Sequence, residues 1–149
     1  MNKKIFILGG GQSALYAARE IRKNNTDVEI TILGEEKFIP YERPPLSKDF
    51  ILNKRVDDDL YFCSKETLEQ EKINYQNTII SKVNFENNIL ISEDNTQYTY
   101  DTLLICTGSK NKKLNINSEI DDEIFYLRNL EEAKKNKEKA LGKKNILII

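Results

Sequence analysis

Apolar positions in this chain fall in short runs separated by charged and polar segments. Ile5-Phe6-Ile7-Leu8 is a continuous apolar run with the length of a buried strand. Ala14, Leu15, Ala17, Ala18 and Ile21 follow at helical spacing, so one face of the predicted helix is small and apolar. Residues 28–33 read as a second strand. Further on, Ser64 caps a short predicted helix over 65–71, which ends before Ile73-Asn74-Tyr75. Residues 79–84, 89–92 and 97–100 read as the strands of an antiparallel meander, turned at Glu86-Asn87-Asn88 and Glu93-Asp94-Asn95. Residues 101–106 form the next predicted buried strand, and Asn129 with Glu132 makes a capping-box start for a helix over 130–141. Lys143 to Ile149 repeats the character of Lys3 to Leu8, a lysine pair followed by an apolar run, and predicts one more buried strand.

The first strand and helix are joined by Gly9-Gly10-Gly11-Gln12-Ser13-Ala14, a G-x-G-x-x-A pattern. Glycine permits the tight turn and the close approach of a pyrophosphate, and the free N–H groups at a helix start carry partial positive charge. The second strand ends at Gly34-Glu35-Glu36, about 20 residues past the glycines, where a dinucleotide fold places a carboxylate for a ribose hydroxyl. A glycine turn alone is a weak signal; with this context it reads as a nucleotide site.

The chain's 149 residues suffice for a domain with a real core. Its 23 Lys+Arg against 24 Asp+Glu give no basic surface for nucleic acid or an anionic membrane. The apolar run after the initial lysines is too short for a signal-peptide core, and no stretch is long enough to span a bilayer, so a cytoplasmic protein is expected. The two cysteines, Cys63 and Cys106, do not form a disulfide framework or metal cluster and are read as structural. Without histidine the chain has no triad, imidazole metal site or histidine proton shuttle. Redox or group-transfer chemistry therefore falls to a bound cofactor.

Pro40-Tyr41-Glu42-Arg43-Pro44-Pro45-Leu46-Ser47-Lys48 is the most distinctive stretch. Two prolines fix φ, remove two donors and disfavour αR before them, which predicts a stiff extended loop, with Ser47 capping a short helix through Leu52. Arg43 and Lys48 on such a loop suit a phosphate or an electron-rich ring, or are solvated surface cations. The glycine turn, I-T-I-L-G-E-E and Y-E-R-P-P-L-S-K at these spacings resemble the amino-terminal FAD-binding segment of the ferredoxin-reductase-like flavoproteins. That group, within the wider pyridine nucleotide-disulfide oxidoreductases, includes putidaredoxin, rubredoxin and biphenyl-dioxygenase ferredoxin reductases. Apoptosis-inducing factors share its flavin module.

The resemblance covers essentially the whole chain and implies a role for each matching position. Gly9, Gly11, Gln12, Ser13 and Ala14 would hold the FAD pyrophosphate, and Glu35 the adenosine ribose, with Glu36 beside it. Arg43 would face the adenine–phosphate side. Lys48 would lie near the flavin ring as the catalytic cation. Ile80 falls where a backbone contact to adenine is made. Cys106-Thr107-Gly108 matches an Ala-Thr-Gly strand end that lies close to FAD, and Arg128 the flavin-contacting arginine of a Leu-Arg pair. Residues 41–48 contain no redox cysteine pair, so electrons would leave the flavin directly for an external acceptor.

These readings predict an α/β, Rossmann-like FAD-binding domain, with a parallel sheet, glycine-turn helix and antiparallel β-meander. Residues 1–115 would be its first segment, and 116–149 a connection plus the first strand of a truncated NAD(P)H-binding domain. The expected activity is transfer of electrons from NAD(P)H through FAD to a ferredoxin- or rubredoxin-type iron–sulfur protein, with the fragment inactive alone. Alternatives are another flavin module, of NADH-oxidase or nitrite-reductase type, or a non-catalytic module like the apoptosis-inducing factors. A truncated sheet edge also leaves room for a homo-oligomer.

Overall fold

The computed structural model of the chain describes residues 2–114 and 123–149. The expected boundary between residues 115 and 116 lies outside the described residues. Two compact units are formed, one from Met1–Tyr41 and Tyr61–Gly108, the other from Glu42–Leu60 and Ser109–Ile149.

In the first unit, β1 (Lys4–Leu8), α1 (Gln12–Asn24) and β2 (Glu29–Gly34) form a parallel β-α-β unit in which Ile5 lies opposite Ile30 and Leu8 opposite Leu33. After α2 (Lys65–Gln70) comes β3 (Ile73–Asn77), parallel to β2, and β7 (Thr102–Ile105) pairs with the other side of β1, giving the order β3-β2-β1-β7. A separate antiparallel sheet contains β4 (Ile80–Asn84), β5 (Ile89–Ser92) and β6 (Gln97–Thr99). Asn88 and Asn95, both at positive φ, occupy the two predicted hairpin turns.

The side-chain alternation of β1 explains how the layers assemble. Ile7 shares one cluster with Ala14, Leu15 and Ala18 of α1, Ile30 and Ile32 of β2, and Leu68 of α2. Phe6 points the other way, into a cluster with Leu33, Leu90 and Tyr100, against which Leu8, Ile80 and Tyr98 pack. A continuous apolar run results because β1 is covered on both faces.

β3 was not expected as a strand. Asn74, Gln76 and Asn77 are poor strand formers, but Ile73 is buried in the helix-side cluster and brings the segment to the edge of β2. Arg22, at the end of α1, holds this edge in place. Its guanidinium donates to the carbonyls of Asn25, Thr26, Val28, Glu71 and Lys72 at 2.8–3.2 Å. A guanidinium has five N–H donors in a rigid fork, so one side chain ties the α1–β2 connection to the α2–β3 turn.

The second unit departs from the sequence reading at the proline stretch. Pro44–Ser47 is a 3-10 turn rather than an extended segment, Arg43 before it is αR (φ −83°, ψ −35°), and Ser47 ends the helical turn instead of capping the start of one. At the first positions of a helical turn proline loses no bond, because those N–H groups have no partner there, and burial of Pro45 and Leu46 favours the turn. A second 3-10 turn spans Asp57–Leu60. α3 (Leu130–Ala140) packs on the proline turn, with Lys134 paired to Asp57 and the Lys137 ammonium 4.7 Å from the Phe50 ring centre. Its cap is close to the expected box: Asn129 Oδ1 accepts from the Glu132 N–H at 2.8 Å, while Glu132 accepts from the N–H of Arg128, one residue beyond the cap, at 2.6 Å.

Residues 145–149 form no strand, and Ile146 to Ile149 are 64–94% exposed, contrary to the expected buried strand. Apolar character calls for a covering layer, and among the described residues none covers these side chains. Urea unfolding should therefore separate the two similar apolar runs: Ile7→Ala should cost about 3 kcal/mol, whereas Leu147→Ser should stay within about 0.5 kcal/mol.

Candidate functional site

The carboxyl ends of β1, β2 and β7 lie level, since Leu8 faces both Leu33 and Ile105. Chain order departs from β1 toward β2 on one side and returns as β7 on the other. The place where these directions diverge is where open α/β sheets bind ligands. Gly9 to Ala14, Glu35 and Glu36, and Cys106 to Gly108 all follow these strand ends, so within the first unit the structure brings most of the predicted residues together.

The three glycines of the turn serve different purposes. Gly9 continues the sheet, donating its N–H to the Leu33 carbonyl at 2.8 Å, and has φ +119°. A Cβ there would stand 2.2 Å from the carbonyl oxygen of Cys106, so main chain meets main chain and only glycine fits. At Gly10 a Cβ would lie 2.8 Å from the Tyr75 hydroxyl. At Gly11 a Cβ would meet nothing within 4 Å. Gly11 is the N-cap of α1, offers no side-chain cap, and no acidic residue occupies the first turn. An uncapped helix start facing open space leaves its N–H groups for an anion.

Gln12 and Ser13 are exposed at this end, while Ala14 is fully buried and offers only main chain. The two carboxylates after β2 are not equivalent. Glu36 is half-buried and accepts from the Tyr41 hydroxyl at 2.6 Å; Glu35 is exposed. Cys106 continues the β7 pairing through its N–H, 2.7 Å from the Leu8 carbonyl, and Thr107 and Gly108 are exposed, with Gly108 at φ +70°. Ile80 opens β4 soon after β3 ends, its side chain packed on the Phe6 cluster.

In the second unit Arg43 and Arg128 are in contact. Half-buried Arg43 donates from Nη1 to the Arg128 carbonyl at 2.8 Å, which makes it a structural tie as well as a cation. Lys48 is exposed and ends the proline turn, its N–H bonded to the Pro45 carbonyl. Tyr75 and Asn77 escaped the sequence reading, although both bond the loop that carries Glu35 and Glu36. The alternation of Ile73 and Tyr75 was the available signal.

Both cysteines are free thiols and half-buried. Burial pushes the Cys63 thiol up, with the Arg19 guanidinium partly opposing it. Among the described residues no cluster could hold a metal ion, and no helix is long and apolar enough to cross a membrane. A cavity of about 920 Å³ along β3, lined by Arg22, Leu68 and Lys72 among others, includes none of the predicted site residues, and the Arg22 donors there already bond carbonyls.

A parallel sheet with a glycine turn at its switch point and an uncapped helix start defines a dinucleotide-binding fold. Residues 3–149 match the family model described as pyridine nucleotide-disulphide oxidoreductase, and the chain belongs to that family. It is 28% identical over 148 residues to the 3-phenylpropionate/cinnamic acid dioxygenase ferredoxin–NAD(+) reductase component of Photorhabdus laumondii, covering 99% of this chain and 38% of that protein. It is 35% identical over 144 residues to a cytosolic monodehydroascorbate reductase of Oryza sativa, covering 87% of this chain and 33% of the relative. The reductase of the covalent putidaredoxin reductase–putidaredoxin complex superposes with a TM-score of 0.85 at 25% identity, over 93% of this chain and 34% of that one. The chain thus spans 33–38% of the length of these relatives.

Two comparisons test these assignments. Gly9→Ala should lower stability by about 3 kcal/mol, because a Cβ would collide with fixed main chain at positive φ, whereas Gly11→Ala should unfold within about 0.5 kcal/mol of the unaltered chain. Iodoacetamide at pH 8 should modify Cys63 more slowly than free cysteine, since burial favours its neutral, unreactive form.

Proposed function

We propose that this chain is the FAD-binding amino-terminal portion of an NAD(P)H-dependent flavin reductase that passes electrons to a ferredoxin- or rubredoxin-type protein. The observation that carries the reading is the open, uncapped helix start at Gly11, at the switch point of the sheet. The N–H groups of Gly11, Gln12, Ser13 and Ala14 suit the pyrophosphate, and the exposed Glu35 suits a ribose hydroxyl. Glu36, engaged with Tyr41, shapes the loop instead. Gly9, Thr107 and Gly108 allow the close approach of main chain, and Ile80 presents backbone to the adenine.

Bound there, FAD would accept hydride from a nicotinamide and release electrons singly to the acceptor. On this reading Lys48 is the catalytic cation beside the flavin, Arg43 serves the adenine–phosphate side, and Arg128, its carbonyl held by Arg43, contacts the flavin. Residues 1–115 make up the first FAD-binding segment. Residues 116–149 would be a connection and the start of an NAD(P)H-binding domain, in which Ile146 to Ile149 would become the first strand once its other layers cover them. A cytoplasmic setting agrees with the two free thiols.

A second acceptor class is favoured by the 35% identity to a monodehydroascorbate reductase: a small organic radical instead of an iron–sulfur protein. Steady-state assays of a longer protein containing this chain would separate the two, with ferredoxin reduction expected. The cofactor is tested on the chain itself by titration with FAD, following flavin fluorescence. Saturable binding is expected, with a loss of about tenfold or more on Gly11→Val, whose side chain would fill the open space at the helix start. Absence of saturable binding would overturn the reading of a preformed adenosine–pyrophosphate site.

A further inference from the structure

The loop that follows β2 is tied by several hydrogen bonds to β3 and the residue after it. Asn77 donates from Nδ2 to the carbonyls of Gly34 and Glu35, both at 3.1 Å, and the N–H of Thr78 adds a bond to Gly34 at 2.9 Å. The Tyr75 hydroxyl reaches the carbonyls of Glu36 and Phe38 at 2.9 and 2.7 Å, sharing its single proton between them. The carbonyls of residues 34, 35, 36 and 38 are therefore all engaged by residues 75–78.

Tyr75 also touches the glycine turn. A Cβ at Gly34 would lie 2.2 Å from its hydroxyl oxygen, and one at Gly10 2.8 Å. Gly10 is not required by the G-x-G-x-x-A pattern, and here it makes room for this phenol. One side chain thus stands where the turn and the carboxylate-bearing loop meet, while the Glu36 carboxylate is engaged by Tyr41 and Glu35 is left exposed.

We propose that Tyr75 and Asn77 are positioning residues that hold the main chain of Glu35 in register with the glycine turn, so that its carboxylate meets an adenosine ribose already aligned. A carboxylate on a loop ordered beforehand loses less conformational freedom on binding, which raises affinity without adding a ligand contact. The proposal rests on the reading of this site as an FAD site.

A double-mutant cycle on FAD affinity, measured on the chain by flavin fluorescence, tests it. Tyr75→Phe keeps the ring and removes the hydroxyl; Asn77→Ala leaves Tyr75 untouched and removes the bond to the Glu35 carbonyl. Each should weaken FAD binding about tenfold when Glu35 is present and less than about twofold in a Glu35→Gln background, with Glu35→Gln alone weakening it at least about tenfold. Loss by the same factor in both backgrounds, or no loss in either, would overturn the positioning role while leaving the FAD reading in place. Two other results would remove the ribose assignment and the proposal together: FAD affinity unchanged by Glu35→Gln, or no saturable binding by the unaltered chain. Should Tyr75→Phe fail to fold, as judged by circular dichroism and melting, the Asn77→Ala cycle decides alone.

Discussion

The strand-end part of the candidate site depends on the close approach of Gly9 to the Cys106 carbonyl. Two parallel strands can run side by side with most side chains, but the chain leaving β1 must here turn into α1 directly against the end of β7. There is no volume for a side chain at that crossing. Glycine at position 9 lets the turn stay tight, and the tight turn brings the start of α1 to the strand ends. Without it the helix would have to start further from the sheet, and the level ends of β1, β2 and β7 would no longer surround one helix start.

That arrangement is affordable only because β1 is buried on both faces. Ile7 looks toward α1 and α2, and Phe6 toward the second sheet, so the central strand is held by two independent clusters. Stability then resides in the layers, and the loops at one end of the sheet are free to carry chemistry. The division appears within single residues of α1: Ala14 is fully buried in the core, while its neighbours Gln12 and Ser13 remain open.

Polar side chains take over where apolar packing thins, at the β3 edge. Arg22 spends five donors on carbonyls of two connections, and Tyr75 and Asn77 secure the loop after β2. Each bond is modest, yet together they satisfy main-chain carbonyls at and beyond the strand ends. The second unit follows a similar economy, with Arg43 bonding the main chain of Arg128 so that two cations of the expected site share one anchor.

The local features were legible in the residues themselves. Apolar runs, glycine turns, asparagine hairpins and caps act through neighbours in sequence, so β1, β2, the meander, α1 and the start of α3 could be placed from the chain alone, as could the dinucleotide character of the first turn. The third edge strand could not, because Asn74, Gln76 and Asn77 resist it locally and only the burial of Ile73 and the edge of β2 impose it. The proline stretch misled for the converse reason: the steric rule against αR before proline is a local preference, overcome by the burial of Pro45 and Leu46. Sequence also separated Gly9 and Gly11, as the glycines of the pattern, from Gly10, but not what each one makes room for. Tertiary contact decides that Gly9 yields to a carbonyl and Gly10 to a phenol while Gly11 faces open space, since what lies opposite each comes from strands far along the chain.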